Sequence, residues 1–135
     1  MFEDRPILIV EDECYVALDL ANAVEDWRGR VVGPVATVAE ALELLEARAV
    51  SAAILDSELA DGDVTPLALE LSQRGVPLVI HTETGLPAEL ASKLPRVPIV
   101  RKPVRPLVVL ERLLEEIRRT GSEDLRVAGR RHPRV

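Results

Sequence analysis

An α/β domain, with one parallel sheet covered by helices on both faces, is what this sequence predicts, and two observations predict it. Apolar runs of strand length recur at Ile7–Val10, Val31–Val35, Ala52–Leu55, Leu78–His81 and Val97–Val100, and a segment with helical spacing follows each. Strands buried on both faces read as short continuous apolar runs rather than alternating ones, and these do. A length of 135 residues suits one domain whose core needs neither a disulfide nor a structural metal.

The first strand, "ILIV", runs directly into Glu11, Asp12 and Glu13. At about 4 Å and an effective dielectric near 20, each like-charged pair costs roughly 4 kcal/mol, so the cluster requires a cation, a proton or a solvated rim. The helix that follows places Cys14, Ala17, Leu18, Ala21 and Val24 on one face. Glu13 opens it, where the helix dipole favours a negative side chain, and this carboxylate reads as structural. Val38, Leu42 and Leu45 form the stripe of a second helix. The turn signal Asp61-Gly62 precedes a third, Val64 to Ser72, and Leu86 to Lys93 gives a short fourth with Pro87 near its first turn. The fifth carries Leu107, Leu110, Leu113, Leu114 and Ile117, starts at Pro106 and is expected to end at Arg118, Arg119 and Gly121. A dinucleotide-binding order would need a glycine-rich turn after Val10, which is missing. That leaves the flavodoxin-like winding, strand order 2-1-3-4-5, in which ligands gather at the carboxyl ends of strands beside the switch point.

Composition narrows the function. No apolar run approaches membrane-spanning length, and the acidic N-terminus with its short apolar stretch does not read as a signal peptide, so a cytoplasmic protein is expected. A net charge of −6 and a pI near 5.0 give no electrostatic footprint for direct nucleic-acid binding. The single cysteine, Cys14, excludes an internal disulfide and a multi-cysteine zinc site, and is expected to be a buried, inert thiol. Residues 120–135, with Arg126, Arg130, Arg131 and Arg134, are expected to be a basic, disordered tail after a domain spanning 1–119.

Four pieces of sequence deliver polar groups to one sheet edge: Glu11 and Asp12 after strand 1, Asp56 in "AAILDSEL", Thr82 in "PLVIHTETG", and Lys102 in "PIVRKPV". Each alone reads as a cap, a turn residue or a loop. Together, in this order and at this spacing, with Pro103 after the lysine, they resemble the receiver domain of two-component response regulators over about residues 6 to 119. The segment "VVGPVATVAEALELLE" looks like a subgroup of receivers that stand alone.

The resemblance implies a phosphoacceptor rather than an enzyme with turnover. Asp56 would take a phosphoryl group from the phosphohistidine of a sensor histidine kinase or phosphotransfer protein. Mg²⁺ would be held directly by Asp12 and Asp56, through water by Glu11, and by the main-chain carbonyl of Glu58, because the hard ion prefers oxygen donors. Lys102 would neutralise phosphoryl charge, and the Thr82 hydroxyl would donate to the new phosphoryl oxygen. Output would pass by protein contact to a downstream target, and a homodimer would use the face of helix 4, strand 5 and helix 5.

Two residues depart from the family pattern. Glu83 stands where a small residue is usual; it either narrows access to Asp56 or points outward. Ile99 stands where many receivers have an aromatic ring that turns inward. These departures keep a second reading open, a degenerate receiver that acts as a phosphorylation-independent interaction module. An aspartate-nucleophile phosphatase of the haloacid dehalogenase type would need an Asp-x-Asp pair after the first strand, which is absent. Tyr15 and Trp27 read as packing residues, His81 as an ordinary sheet residue, and Arg101 and Arg105 as solvating the rim.

Overall fold

The computed structural model describes residues 1–131, with side chains described through Gly121. In chain order the elements are β1 (Pro6–Val10), α1 (Cys14–Asp26), β2 (Arg30–Val35), α2 (Val38–Ala47), β3 (Ala52–Asp56), β4 (Glu58–Leu59), β5 (Gly62–Asp63), α3 (Thr65–Gln73), β6 (Leu78–Thr82), α4 (Ala88–Lys93), β7 (Ile99–Arg101) and α5 (Pro106–Arg131). Five strands form a parallel sheet in the order β2-β1-β3-β6-β7, the expected winding. The sequence reading missed β4 and β5, a two-stranded antiparallel ribbon outside that sheet.

The pleat sorts side chains to two cores. Leu8, Val10, Ala53, Leu55, Leu78 and Ile80 face α2, α3 and α4, whereas Ile7, Ile9, Ala52, Ile54 and Val79 face α1 and α5. Each fully buried Leu or Ile contributes roughly 1.5–3 kcal/mol, which is why these strands read as unbroken apolar runs. Edge strand β2 is less buried and tolerates Pro34, whose peptide bond with Gly33 is cis.

Several expectations need correction. The buried face of α1 is Ala17, Leu20 and Val24; Leu18 and Cys14 are exposed, because Leu20 turns onto the α5 core and Leu18 lies on the opposite side of the helix. Cys14 is therefore not the buried thiol expected. Tyr15, exposed at the outer start of α1, does not pack, whereas Trp27 does. On α5, Val109 replaces Leu107 in the buried stripe. β7 begins at Ile99 rather than Val97, because the Val97 N–H is taken by the Leu94 carbonyl in a turn closing α4, and pairing with β6 starts at Pro98. Helix α5 passes through Gly121, which lacks the positive φ of a left-handed cap, so the expected helix end there is not observed. Residues 132–135 of the expected tail lie outside the described residues. No helix among the described residues is long and apolar enough to cross a membrane.

The ribbon is pinned to its neighbours by capping. Thr37 caps α2, accepting the Glu40 N–H on Oγ1 at 3.1 Å, and Glu40 Oε1 reaches back to accept from the Ala36 N–H at 3.2 Å. Asp61, from the turn between β4 and β5, accepts from the N–H groups of Val38 and Ala39 at 2.9 and 3.1 Å. Asp63 accepts from the Thr65 N–H at 2.8 Å at the start of α3.

The N-terminus is part of the core. Phe2 is fully buried, its N–H bonds to the Trp27 carbonyl at 2.9 Å, and its ring lies 5.8 Å from the indole. Gly29 makes room for this, since a Cβ there would stand 2.7 Å from Val24 Cγ1 and 3.1 Å from the Phe2 ring. Phe2→Ala should lower the unfolding free energy by about 3 kcal/mol, measured as a reduced urea midpoint at unchanged slope. A loss no larger than that of an exposed substitution would show that this ring is not part of the core.

Candidate functional site

β1, β3, β6 and β7 end at one edge of the sheet, and each delivers polar groups there. Glu11 and Asp12 follow β1, Asp56 ends β3, Thr82 ends β6, and Lys102 follows β7. Glu11, Asp56 and His81 continue the alternation of Ile9, Ile54 and Val79, so they fall on the α1 and α5 side. There a cleft of about 520 Å³ is walled by Val16, Leu20 and Val104, with Glu83 at its rim.

Lys102 joins the two buried carboxylates. Its Nζ donates to Glu11 Oε1 at 2.9 Å and to Asp56 Oδ2 at 3.3 Å, with Glu11 only 3% exposed. The peptide bond between Lys102 and Pro103 is cis. Burial pushes the Glu11 carboxyl up to about 7, against the pull of the Lys102 ammonium, and Asp56 adds to the rise. Burial works against the Lys102 charge, but its hydrogen bond to Glu11 and the charges of Glu11 and Asp56 outweigh it, and Lys102 sits above the ordinary lysine value. Glu13 is the N-cap of α1, as its position suggested: its side chain accepts from the Tyr15 N–H at 3.0 Å. Its own N–H donates to Glu11 Oε2 at 3.1 Å, so the helix start also orients Glu11.

Glu11, Asp12 and Asp56 each offer an oxygen within 4.8 Å of the others. With Lys102 beside them, the ionised set carries a net charge of −2, which one divalent cation would balance. The donors are all hard oxygens, the kind of cluster that could hold a metal ion. Glu58 sits two residues past Asp56 at the start of the ribbon, with its N–H 3.5 Å from Asp56 Oδ1 and its side chain exposed.

Thr82 is placed differently from the acids. Its hydroxyl, fully buried, lies 2.6 Å from Ser57 Oγ, 3.0 Å from the Gly85 N–H and 3.2 Å from the Gly85 carbonyl. Gly85, at φ +97°, turns the chain back so that both of its polar groups reach the hydroxyl. Ser57 was missed from sequence. Only the pairing of Asp56 with His81 sets the following residues, Ser57 and Thr82, side by side.

His81 is more than a sheet residue, since it lines the cleft while 4% exposed, and neither ring nitrogen has a partner among the described residues. Burial, then the Lys102 charge, push its pKa down to about 4, which leaves it neutral at physiological pH. Arg101 reaches the Glu83 carbonyl at 3.5 Å.

No protein-family model and no curated protein matches the chain. Solved structures do. A CheY-like response regulator receiver domain protein from Methanospirillum hungatei aligns at 23% identity and TM-score 0.78, covering 88% of this chain and 98% of that one. The non-phosphorylated HemR receiver domain from Leptospira biflexa is 27% identical, with a TM-score of 0.69 and coverage of 81% and 93%. SdrG from Sphingomonas melonis reaches 34% identity at TM-score 0.69, with 84% of this chain and 99% of that one aligned. Fold, strand order and the acidic edge thus define a receiver-type α/β domain. The chain belongs to the CheY-like response regulator receiver domains.

The two shifted groups act oppositely on stability. Glu11 holds its proton more tightly folded than unfolded, so it stabilises below 4.5 and that contribution is lost as pH rises through about 7. His81 stabilises above 6.5 and loses that contribution as pH falls towards about 4. Glu11→Gln removes the first group and exposes the second. Its urea-unfolding free energy should fall between pH 6.5 and 4.5 by up to about 1.4 kcal/mol per unit, more steeply than wild type. Equal slopes for the two proteins would exclude this pair of shifts.

Proposed function

We propose that this receiver, a cytoplasmic protein, takes a phosphoryl group onto Asp56 from the phosphohistidine of a sensor histidine kinase or phosphotransfer protein, with Mg²⁺ bound. The observation that carries the reading is the meeting of Glu11, Asp12 and Asp56, with the Lys102 ammonium bonded to Glu11 and Asp56. Asp12 and Asp56 would ligate the ion directly, Glu11 through water, and the Glu58 carbonyl would complete the protein's share. When bound, the metal supplies positive charge to the phosphoryl oxygens.

The side chains supply the rest. An Asp56 carboxylate oxygen attacks phosphorus in line; the P–N bond to the donor imidazole breaks, and its electron pair returns to that ring. Lys102, a compact cation with rotatable donors, follows the phosphoryl oxygens as charge moves onto them. Glu11 and the neutral His81 neighbour the acceptor without competing as nucleophiles, one paired to Lys102 and the other enclosed. Thr82 then donates to a phosphoryl oxygen and draws the β6–α4 connection after it. Ile99 on β7 is 40% exposed and offers no ring to turn inward, so this surface change rests on Thr82.

The receiver unit is residues 1–119, with 120–135 a basic extension. The α4–β7–α5 face carries output to a protein target or a second copy. The degenerate reading is weaker because each side chain that the chemistry needs is present and grouped.

Acetyl phosphate with Mg²⁺ should add about 80 Da to the intact protein, and Asp56→Asn or EDTA should abolish the gain. Wild type with no mass gain under these conditions would overturn the assignment. Calorimetric Mg²⁺ affinity should also weaken below about pH 7, by no more than about tenfold per unit, because a proton on Glu11 competes with the ion.

A further inference from the structure

We propose that Ser57 is a positioning residue that tethers Thr82 in its resting place and so sets how readily the receiver activates. The proposal rests on the phosphoacceptor reading above, with one readout independent of it.

Thr82 Oγ1 has one proton and two lone pairs. Its environment already occupies them: the N–H groups of Thr84 and Gly85 donate at 3.1 and 3.0 Å, the Gly85 carbonyl can accept at 3.2 Å, and Ser57 Oγ lies at 2.6 Å. The contact with Ser57 is the shortest of these. It is also sealed, since Ser57 is 1% exposed and Thr82 fully buried, so water cannot replace either partner. The Gly85 and Thr84 contacts belong to the β6–α4 connection and travel with Thr82. Ser57 belongs to the chain following β3, adjacent to the acceptor, and does not. A hydroxyl that leaves to serve a phosphoryl oxygen must therefore break one bond to a fixed partner, and that partner is Ser57.

The pleat gives this tether its leverage. Asp56 points to the α1 and α5 side, while Ser57 and Thr82 follow the parity of Leu55 and Ile80, towards α2, α3 and α4. Ser57 thus restrains the switch from behind the acceptor without occupying the space an incoming phosphoryl group needs. Its carbonyl is itself fixed by the Val64 N–H at 3.0 Å, which closes the ribbon and stiffens the anchor.

The test is a double-mutant cycle on the full chain with acetyl phosphate and Mg²⁺. Ser57→Ala should raise the initial rate of phosphoryl uptake by about two- to tenfold, the range for one buried hydrogen bond. In a Thr82→Ala background the same change should have no effect. An unaltered rate in Ser57→Ala, or an equal effect with and without Thr82, would overturn the tether. In unphosphorylated protein, NMR three-bond couplings should show the Thr82 side chain leaving its single rotamer in Ser57→Ala; one unchanged rotamer also overturns it. If wild type takes up no phosphoryl group, the phosphoacceptor reading fails, and the couplings alone decide the tether. An amide spectrum matching wild type away from β3 and β6 confirms that the variant is folded.

Discussion

The bond between Lys102 and the two carboxylates at the sheet edge is the constraint on which the rest depends. Glu11 follows β1 and Asp56 ends the adjacent β3, and burial makes two charges there expensive. Lys102 reaches both from beyond β7. A buried ion pair is a weak source of net stability, because desolvation offsets attraction, but removing one partner strands the other. The arrangement therefore fixes position more than it adds stability. It holds the Asp56 side chain in place, leaves Glu11 the group that takes up a proton as pH falls through about 7, and gathers oxygen donors that could hold a metal ion.

The pleat divides the site between two compartments. The carboxylates and His81 face the α1 and α5 side, where the cleft opens, while Thr82 and Ser57 face the core beneath α2, α3 and α4. The carboxylate cluster and the pair of hydroxyls thus occupy opposite faces of the same strand ends, one residue apart. The ribbon of β4 and β5 adds a mechanical link, because the chain leaving Asp56 passes through it and its turn clamps α2 through Asp61. Glu58 is two residues from Asp56 and three from that clamp, so the ribbon joins them over a short stretch of chain.

The arrangement of α1 and the N-terminal segment shows how a core is completed by residues that carry no periodic signal. Phe2 lies outside any strand or helix, yet it fills the space between Trp27 and α1 that Gly29 leaves open. Cys14 and Tyr15, by contrast, sit within a helix and belong to its solvent side.

Much was legible in the sequence because its signals are local. Apolar runs marked the strands, stripes marked the helices, and carboxylates, Thr82 and Lys102 stood at run ends, where a parallel sheet collects them. A helix stripe is ambiguous by one position on either side, so Leu18 could not be told from Leu20 without knowing what α1 packs on. A two-residue strand has no period, so β4 and β5 were invisible. The burial that lifts Glu11 and silences His81 depends on α1 and α5 closing over them, and the meeting of Ser57 with Thr82 depends on strand register. By itself the sequence determined which groups arrive at the sheet edge, because strand ends follow from local hydrophobic pattern. Only the tertiary structure decided which face each group takes and which partner it meets, because pleat parity and register are set by contacts between segments distant in the chain.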